Sequence, residues 1–419
     1  MPTDTITRPL RRPPASPPTA RAGDDSGWVL LAAVVAMLCT IGLMMVLSAS
    51  SVEALRSYGG AWVFFQRQLI WVAIGGAVLL GGSLVDYHHW RKVVIPLLGG
   101  SFVLLVLVLI PGVGITAGGS SRWLGTDSLR IQPSELAKLA VLLFSASLLA
   151  RRAELVGDLH SVMKPLLLTS GVLAGLVLLQ PDMGTALLMM FVVFVLMFVG
   201  GVPMLPMSGL SVAAAVSAVF LARAEAYRWE RVSSFRDPFG DFANGGYQVA
   251  QSLVALGTGH VGGVGLGASR AKWGFLPNAH TDFIFAIVGE ELGLFGTVGV
   301  VALFVAFAVL GGRTALRAPD RFGALIAAGV TGWVCAQAVV NMGAVTSLLP
   351  VTGVPLPFVS FGGSSLVVTM LAAGILLNIA RQSRPPREGG PGWRPPREGG
   401  PGWRPPREGG LESKRATAG

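Results

Sequence analysis

The stretch Trp28-Val-Leu-Leu-Ala-Ala-Val-Val-Ala-Met-Leu-Cys-Thr-Ile-Gly-Leu-Met-Met-Val-Leu47 contains no charged side chain. Its length matches the ~20 apolar residues that a helix needs to cross the hydrocarbon core of a bilayer. Further windows of the same character follow along the chain, each able to cross a layer about 30 Å thick. The ten windows are residues 28–50, 66–85, 92–111, 134–150, 164–180, 182–201, 204–222, 283–311, 322–343 and 363–381.

The composition places the chain among membrane proteins. Hydrophobic residues make up 52% of the chain and charged residues only 13%. Short strands of alternating polarity, which a transmembrane barrel would need, are not evident in the sequence. The sequence therefore predicts an all-α polytopic membrane protein with about ten transmembrane helices. A large extracytoplasmic loop is expected between the seventh and eighth helices, at about residues 223–282.

The formal net charge of +10 raises the possibility of a nucleic-acid partner. An excess of Lys and Arg in cytoplasmic loops explains the charge better, because it is the rule for polytopic membrane proteins. We therefore predict a multi-pass protein of the cytoplasmic membrane with both termini in the cytoplasm and no nucleic-acid partner. The expected inner basic residues are Arg91, Lys92, Arg151, Arg152, Lys164, Arg313, Arg317 and Arg321.

The two polar tails are predicted to be disordered and cytoplasmic, because neither holds enough apolar surface to fold. Residues 1–27 are rich in Pro, Thr and Arg, and residues 383–419 carry a repeat rich in Pro, Arg and Gly. A solvated spacer is the preferred interpretation of the repeat, with partner or anionic-lipid binding as the alternative. Residues 28–382 form the predicted transmembrane domain.

Every chemically suggestive motif falls on the predicted outer face. The polar run 227–282 leads directly into the apolar window at 283–311, and ionisable groups against a membrane segment indicate a functional site. In the loop after the third helix, Pro133 suits a first helical turn, and Glu135 and Lys138 are spaced to share one helix face. An ordinary cap with an ion pair is the alternative there.

Two further segments on the predicted outer face can also be interpreted either as part of a functional site or as ordinary helix caps. Asp182 lies at the start of the sixth helix, where the helix dipole favours a carboxylate, so a cap is the simple alternative to a catalytic role. The last outer loop, 348–365, holds three prolines and then opens a helix near Ser364. Free N–H groups at such a start can bind an anion, and plain capping is again the alternative.

Taken together, these motifs resemble the SEDS family (shape, elongation, division and sporulation), the peptidoglycan glycosyltransferases with ten membrane helices. The resemblance covers about residues 28–382. The motif sequences resemble those of the cell-division branch more than those of the elongation branch. The Pro/Arg-rich tails are similar to those of actinobacterial members. The matching motifs are Arg122-Trp, Gln132-Pro-Ser-Glu-Leu-Ala-Lys138, Gln180-Pro-Asp-Met-Gly-Thr185, Gly246-Tyr-Gln248, Gly263-Val-Gly-Leu-Gly267, Leu276-Pro277, His280-Thr-Asp-Phe-Ile-Phe285, Glu290-Glu-Leu-Gly293, Leu349-Pro-Val-Thr-Gly353 and Ser360-Phe-Gly-Gly-Ser-Ser365.

The resemblance implies polymerisation of lipid II into glycan strands at the outer face, with inversion at the anomeric carbon and release of undecaprenyl pyrophosphate. Asp282 matches the essential aspartate of the family and is the expected general base. One departure is Asn278, where many members carry Glu. It removes a carboxylate four residues before Asp282 and weakens any scheme that needs two acids there.

The resemblance also implies groups that stabilise the leaving pyrophosphate and groups that support the site. A divalent cation, Mg²⁺ or Mn²⁺, is expected and no organic cofactor, with Glu135, Asp182 or Asp282 as its ligands. Structural hydrogen bonding is the alternative role for Glu290, and for His280 it is helix capping or a hydrogen bond to Asp282. The expected pyrophosphate-binding residues are Arg122, Lys138, Arg228, Arg231, Lys272, Ser360 and Ser364, and the supporting residues are Glu135, Asp182, Thr185, His280 and Glu290.

The expected partners follow from the same resemblance: lipid II, the nascent glycan strand, a class B penicillin-binding transpeptidase of the division type and other divisome membrane proteins at the septum. Two other classes of function stay open. A transporter that flips the lipid-linked precursor would show repeated halves with broken helices at the midplane. A non-catalytic divisome scaffold would tolerate substitution of its acidic and basic motif residues.

Overall fold

The structure is a computed structural model, and it describes residues 27–117, 120–126, 130–223, 235, 237–242 and 245–383. Its elements are mostly long helices that begin and end close to the predicted apolar windows. The helices are α1 (Gly27–Tyr58), α2 (Val63–Leu84), α3 (Trp90–Leu109), α4 (Pro133–Arg151), α5 (Lys164–Leu179), α6 (Met183–Val199), α7 (Met204–Arg223), α8 (Tyr247–Thr258), α9 (Ile284–Leu316), α10 (Arg321–Val345) and α11 (Gly363–Gln382).

All ten predicted membrane windows coincide with a helix, so the predicted fold class is confirmed. Among the described helices, eight are long and apolar enough to cross a membrane by themselves. The other two windows correspond to α6 and to the start of α7, which contain shorter apolar stretches at Met183–Val199 and Met204–Ala214. Apart from Gly27, which begins α1, and Ser383, the predicted tails lie outside the described residues, and their disorder stays a prediction.

Close packing between α2 and α11 depends on glycine. A Cβ on Gly374 of α11 would lie 2.3 Å from the Leu79 carbonyl oxygen, and a Cβ on Gly75 of α2 would lie 2.4 Å from the Met370 sulfur. At Gly374 the neighbour is backbone and leaves no room for a larger side chain, whereas at Gly75 the Met370 side chain would have to move. Small residues at such contacts are the usual means of helix association in lipid, where no hydrophobic force drives helices together.

Two elements of the outer loops were not predicted. The link between α3 and α4 forms a small antiparallel sheet of β1 (Ile115–Ala117), β2 (Ser120–Gly125) and β3 (Arg130–Ile131), in that order. The large loop before α9 contains α8, whose 12 residues are too few to cross a bilayer. Neither segment contains an apolar run long enough to cross a membrane, so both were expected to be loop.

The helix α9 is broken at Gly293, which adopts φ 66° and ψ −155°. The segment just after α8 supplies the hydrogen bonds that the break removes. The Val264 N–H donates to the Glu290 carbonyl at 2.9 Å, and the Leu294 N–H donates to the His260 carbonyl at 3.0 Å. The apolar window 283–311 was predicted as one continuous helix, so this break corrects that prediction.

The segment between α10 and α11 enters the bundle instead of staying at its surface. Val354, Leu356 and Phe358 are buried. A Cβ on Gly42, in the middle of α1, would lie 2.6 Å from the Phe358 carbonyl oxygen, so the segment reaches well into the helix bundle. Irregular backbone at such depth requires partners within the protein. Here the Gln337 side-chain amide of α10 donates to the Pro355 carbonyl at 2.9 Å.

The links between helices gather at two ends of the bundle, as an alternating membrane topology requires. At one end, Arg91 lies 3.3 Å from Asp320, and Arg321 donates to the Gly200 carbonyl at 2.6 Å. At the other end, the Gln132 N–H donates to the Ser364 hydroxyl at 3.0 Å. The first end carries the basic residues that were predicted to be cytoplasmic, and the second carries the motifs.

Candidate functional site

Asp282 lies two residues before α9, at the motif-bearing end, and is half-buried. Its backbone carbonyl accepts a hydrogen bond of 2.8 Å from the side-chain amide of Asn341. Its Oδ2 atom lies 3.7 Å from the position that a Cβ would take on Gly353. The predicted base is therefore placed against the Pro-Val-Thr-Gly motif of the last outer loop.

A tight turn at Asn278 delivers the chain to Asp282. Asn278 adopts φ 57°, a left-handed conformation that asparagine tolerates better than most residues. Its carbonyl accepts hydrogen bonds from the N–H groups of Thr281 at 3.1 Å and Phe283 at 3.3 Å. The backbone thus provides a physical reason for asparagine at this position, where many members of the resembling family carry Glu.

His280 is buried between two aromatic rings. Its ring centroid lies 4.8 Å from that of Phe64 and 5.7 Å from that of Phe361. Its Nδ1 atom lies 3.6 Å from a carboxylate oxygen of Glu53, at the end of α1. Burial lowers the pKa of His280, and the Glu53 charge opposes part of that shift. Glu53 is therefore an ionic neighbour of His280, and the hydrogen bond to Asp282 that the sequence left open stays a prediction.

Ser360 joins two outer segments through its hydroxyl group. The hydroxyl donates to the Thr281 carbonyl at 2.6 Å and accepts from the Leu356 N–H at 2.8 Å. The neighbouring Phe361 N–H donates to the His280 carbonyl at 3.0 Å. These bonds hold the turn before Asp282 against the segment before α11, which is a structural role that the sequence did not indicate.

Arg122 and Asp182 organise the link between α5 and α6. The guanidinium of Arg122 donates to the carbonyls of Gln180, at 3.1 Å, and of Pro181. Asp182 caps α6 by accepting from the Thr185 N–H at 3.2 Å, as the alternative of a helix cap predicted. Its other oxygen accepts from the Gln132 side chain at 3.1 Å. The described contacts of both charged groups thus join outer segments to one another.

Glu135 and Lys138 form the ion pair that their spacing predicts, and both are buried. The Lys138 Nζ atom lies 2.9 Å from Glu135, donates to the Gln337 side chain at 3.2 Å, and sits 4.9 Å from the centre of the Trp333 ring. Pro133 is the first residue of α4, as predicted. Because Gln337 and Trp333 belong to α10, these contacts of Lys138 anchor α4 to α10.

Lys272, Glu290 and Glu291 attach the large outer loop to α9 and α1. Glu290 accepts from the Ser269 hydroxyl at 2.5 Å and from the Arg270 N–H at 2.8 Å, which favours the structural alternative for this residue. Lys272 lies 3.6 Å from Glu291. Glu291 also accepts from the Ser48 hydroxyl of α1 at 2.6 Å.

The structure thus brings most predicted site residues to one end of the bundle, where hydrogen bonds link them in separate groups. Arg228 and Arg231 lie outside the described residues, so their role stays a prediction. The sequence interpretation missed Glu53, Gln337 and Asn341. The last two were detectable, because polar residues at positions i and i+4 of an apolar membrane helix usually have a role.

The predicted metal ligands do not gather into one set. Within the described ranges, no three His, Cys, Asp or Glu side chains are grouped as a metal site would need. Glu135 is paired with Lys138, and both oxygens of Asp182 accept hydrogen bonds. The described side chains therefore do not form a ready cation site, and the expected Mg²⁺ or Mn²⁺ stays a prediction.

Comparison with known proteins identifies the family. The model of the FtsW, RodA and SpoVE cell cycle proteins matches residues 29–385. The chain belongs to this family, the SEDS proteins.

The SEDS relatives include probable peptidoglycan glycosyltransferases named FtsW. One from Geobacter sp. is 40% identical over 356 residues, covering 85% of this chain and 96% of the relative. One from Mycobacterium tuberculosis is 42% identical over 355 residues, covering 84% of this chain and 67% of the relative. A solved SEDS-like chain, described under structural coordination of polymerization and crosslinking by a peptidoglycan synthase complex, has a TM-score of 0.67 and 30% identity, covering 86% of this chain and 99% of that one.

Proposed function

We propose that this protein is a peptidoglycan glycosyltransferase of the division branch, which polymerises lipid II at the outer face of the cytoplasmic membrane. Its relatives named FtsW support this activity. The observation that carries the proposal is the position of Asp282. It lies between α10 and the last outer loop, bonded through its carbonyl to Asn341 and placed beside Gly353.

In the proposed reaction, a sugar hydroxyl of the acceptor attacks the anomeric carbon of the donor. The new glycosidic C–O bond forms as the bond to the lipid pyrophosphate breaks, and the hydroxyl proton passes to the Asp282 carboxylate. The bonding electrons leave with undecaprenyl pyrophosphate. A single displacement with one base inverts the anomeric centre. A base within hydrogen-bond reach of the attacking hydroxyl is the requirement, and the half-buried position of Asp282 suits it.

The predicted cations contribute to this reaction chiefly by building the site. Arg122 and Lys138 are bound to groups of the protein, so in this arrangement they fix the outer segments. Oriented donors at a developing negative charge are an effective source of catalysis, because they need no reorganisation during the reaction. Residues of the loop outside the described ranges, Arg228 and Arg231, stay candidates for contact with the pyrophosphate.

A class B penicillin-binding transpeptidase is the proposed partner, since a solved relative comes from work on polymerization and crosslinking by a synthase complex. We expect the purified chain alone to polymerise lipid II weakly and the pair to polymerise it faster. Glycan strands resolved on a gel, from labelled lipid II, measure the rate. Samples carrying Asp282→Asn control for contaminating polymerases. Equal rates with and without the transpeptidase would argue against coupling, and no polymer from either sample would overturn the proposed activity.

The proposed orientation places the basic end of the bundle in the cytoplasm, following the bias of membrane proteins for positive inner loops. Ser57, at the end of α1, and Glu154, between α4 and α5, are both exposed and lie at opposite ends. In intact cells, an impermeant maleimide should label Ser57→Cys and spare Glu154→Cys. The wild-type chain controls for Cys39 and Cys335. Labelling of Glu154→Cys alone would reverse the topology and contradict an extracytoplasmic site.

Transport of the lipid-linked precursor is a second candidate, favoured by the break of α9 beside two buried carboxylates. Broken helices hold substrates in many transporters. Here, however, Glu290 and Glu291 accept hydrogen bonds from the outer loop and from Ser48. Vesicles that contain the protein and fluorescent lipid II separate the two functions, since transport predicts movement of the lipid between leaflets without polymer.

A further inference from the structure

Asn341 connects the candidate base to the segment that enters the bundle. Its side-chain nitrogen donates to two backbone carbonyls, that of Asp282 at 2.8 Å and that of Val354 at 2.9 Å. The two carbonyls belong to different outer segments, and Asn341 itself is 2% exposed. One buried amide group therefore sets the distance between the backbone of Asp282 and the last outer loop.

The chemistry of this position requires a donor. If the amide were turned over, its oxygen would face two carbonyl oxygens, so the orientation follows from the acceptors. The Asn341 oxygen is buried and accepts no hydrogen bond from the part of the chain that the structure describes. Buried polar groups are normally paired, and an exception calls for an explanation. Here the explanation is that the side-chain amide is needed as the donor to both carbonyls, and its oxygen is left unpaired as a result.

The local backbone explains why Asp282 needs such a tie. The residue follows the turn at Asn278 and precedes α9, so it lies outside the hydrogen-bonded body of the helix. We propose that Asn341 is a positioning residue for the transferase reaction, which holds the Asp282 carboxylate at the acceptor hydroxyl by fixing its backbone to the Val354 segment. This inference rests on the proposed function and adds a residue to its machinery.

Steady-state polymerisation by Asn341→Ala tests the proposal in the complex with the transpeptidase. We expect kcat to fall about 10- to 100-fold, because a displacement of ~1 Å in a catalytic group costs about 10²-fold in rate. The KM for lipid II should stay close to that of the wild type. Asn341→Asp, which keeps the shape but has no donor, should lose as much. Asn341→Ser, which keeps one donor, should recover part of kcat.

Asn378 of α11 provides a matched control at the opposite end of the bundle. It is also buried, donates to the Ser83 carbonyl at 2.9 Å and accepts from the Tyr87 N–H at 3.0 Å. Asn378→Ala should lower the melting temperature without lowering kcat of the folded fraction. The Asn378 oxygen also accepts from the Gln382 side chain at 2.9 Å. Because the control likewise removes buried hydrogen bonds between a side chain and the backbone, a difference in kcat between the two variants separates positioning from stability.

Three results decide the matter. Equal kcat for Asn341→Ala and Asn378→Ala, at equal folded fraction, would overturn the positioning role, as would a loss confined to KM. If Asn341→Ala does not fold, the Asn341→Ser variant carries the same comparison. A wild-type complex that makes no polymer would instead refute the proposed function, so the two failures are distinguishable.

Discussion

Purified Asp282→Asn, together with the proposed partner transpeptidase, should make no polymer that a gel can detect. The amide is nearly isosteric with the carboxylate, so the fold and the bond from Asn341 to the backbone carbonyl should persist. Proton abstraction is lost, and a positioned base typically contributes about 10²–10⁴-fold in rate. The measurement is the initial rate of glycan formation from labelled lipid II, with the folded fraction determined by thermal denaturation.

Asp237→Asn is the matched control for this variant. Asp237 lies in the same outer loop, is exposed, and accepts from the Gly240 N–H at 2.9 Å. Asparagine accepts the same turn bond, so activity should stay near that of the wild type. If Asp282→Asn polymerises lipid II at nearly the wild-type rate, the general-base assignment is wrong. Another carboxylate, such as Glu135 or Asp182, would then become the better candidate.

Gly293→Ala should greatly reduce the yield of folded protein. Its φ of 66° and ψ of −155° suit glycine alone, and a Cβ would lie 2.4 Å from the Gly263 nitrogen. Backbone strain of this kind costs about 1–3 kcal/mol. Overpacking adds roughly another 1–3 kcal/mol. Together these costs, about 2–6 kcal/mol, are a large fraction of the stability of many proteins, about 5–15 kcal/mol. Melting temperature in detergent and elution as a single species are the measurements.

Gly299→Ala, six residues further along α9, should be harmless. Nothing lies within 4 Å of the position that its Cβ would take, and the residue is exposed. Within a helix, alanine is favoured over glycine by about 0.5–1 kcal/mol. The pair of variants therefore compares the same substitution at a break and in a regular turn. A wild-type melting temperature for Gly293→Ala would show that the break is not required.

The membrane helices were predictable because a bilayer imposes a length and a polarity on each of them. Local signals also fixed two helix starts, Pro133 at the first turn of α4 and Asp182 as the cap of α6. The break at Gly293 was not predictable from such signals. The apolar run continues through it, and its replacement partners, His260 and Val264, lie about 30 residues away in sequence.

The sequence predicted which residues belong to the candidate site better than it predicted the contacts between them. Motifs and resemblance indicated Asp282, Lys138 and Lys272, and helical spacing predicted the pair of Glu135 with Lys138. The sequence could not show that Lys272 would pair with Glu291, because that contact depends on how the large loop packs against α9, and no periodicity predicts such packing. The roles of Gln337 and Asn341 depend on a loop that enters the bundle, so they too appear only when the chain is folded.

At the break of α9, hydrogen bonds to His260 and Val264 replace those of a regular helix, and these partners are made before α9 during synthesis. The two parts of α9 cannot complete their backbone hydrogen bonds alone, because the Leu294 amide after the break bonds to His260 and the Glu290 carbonyl before it bonds to Val264. Both partners precede α9 in the chain, so they leave the ribosome first. The partners have therefore already been synthesised when the broken helix enters the membrane. The unpaired backbone groups of α9 can form their hydrogen bonds at once, without exposure to hydrocarbon.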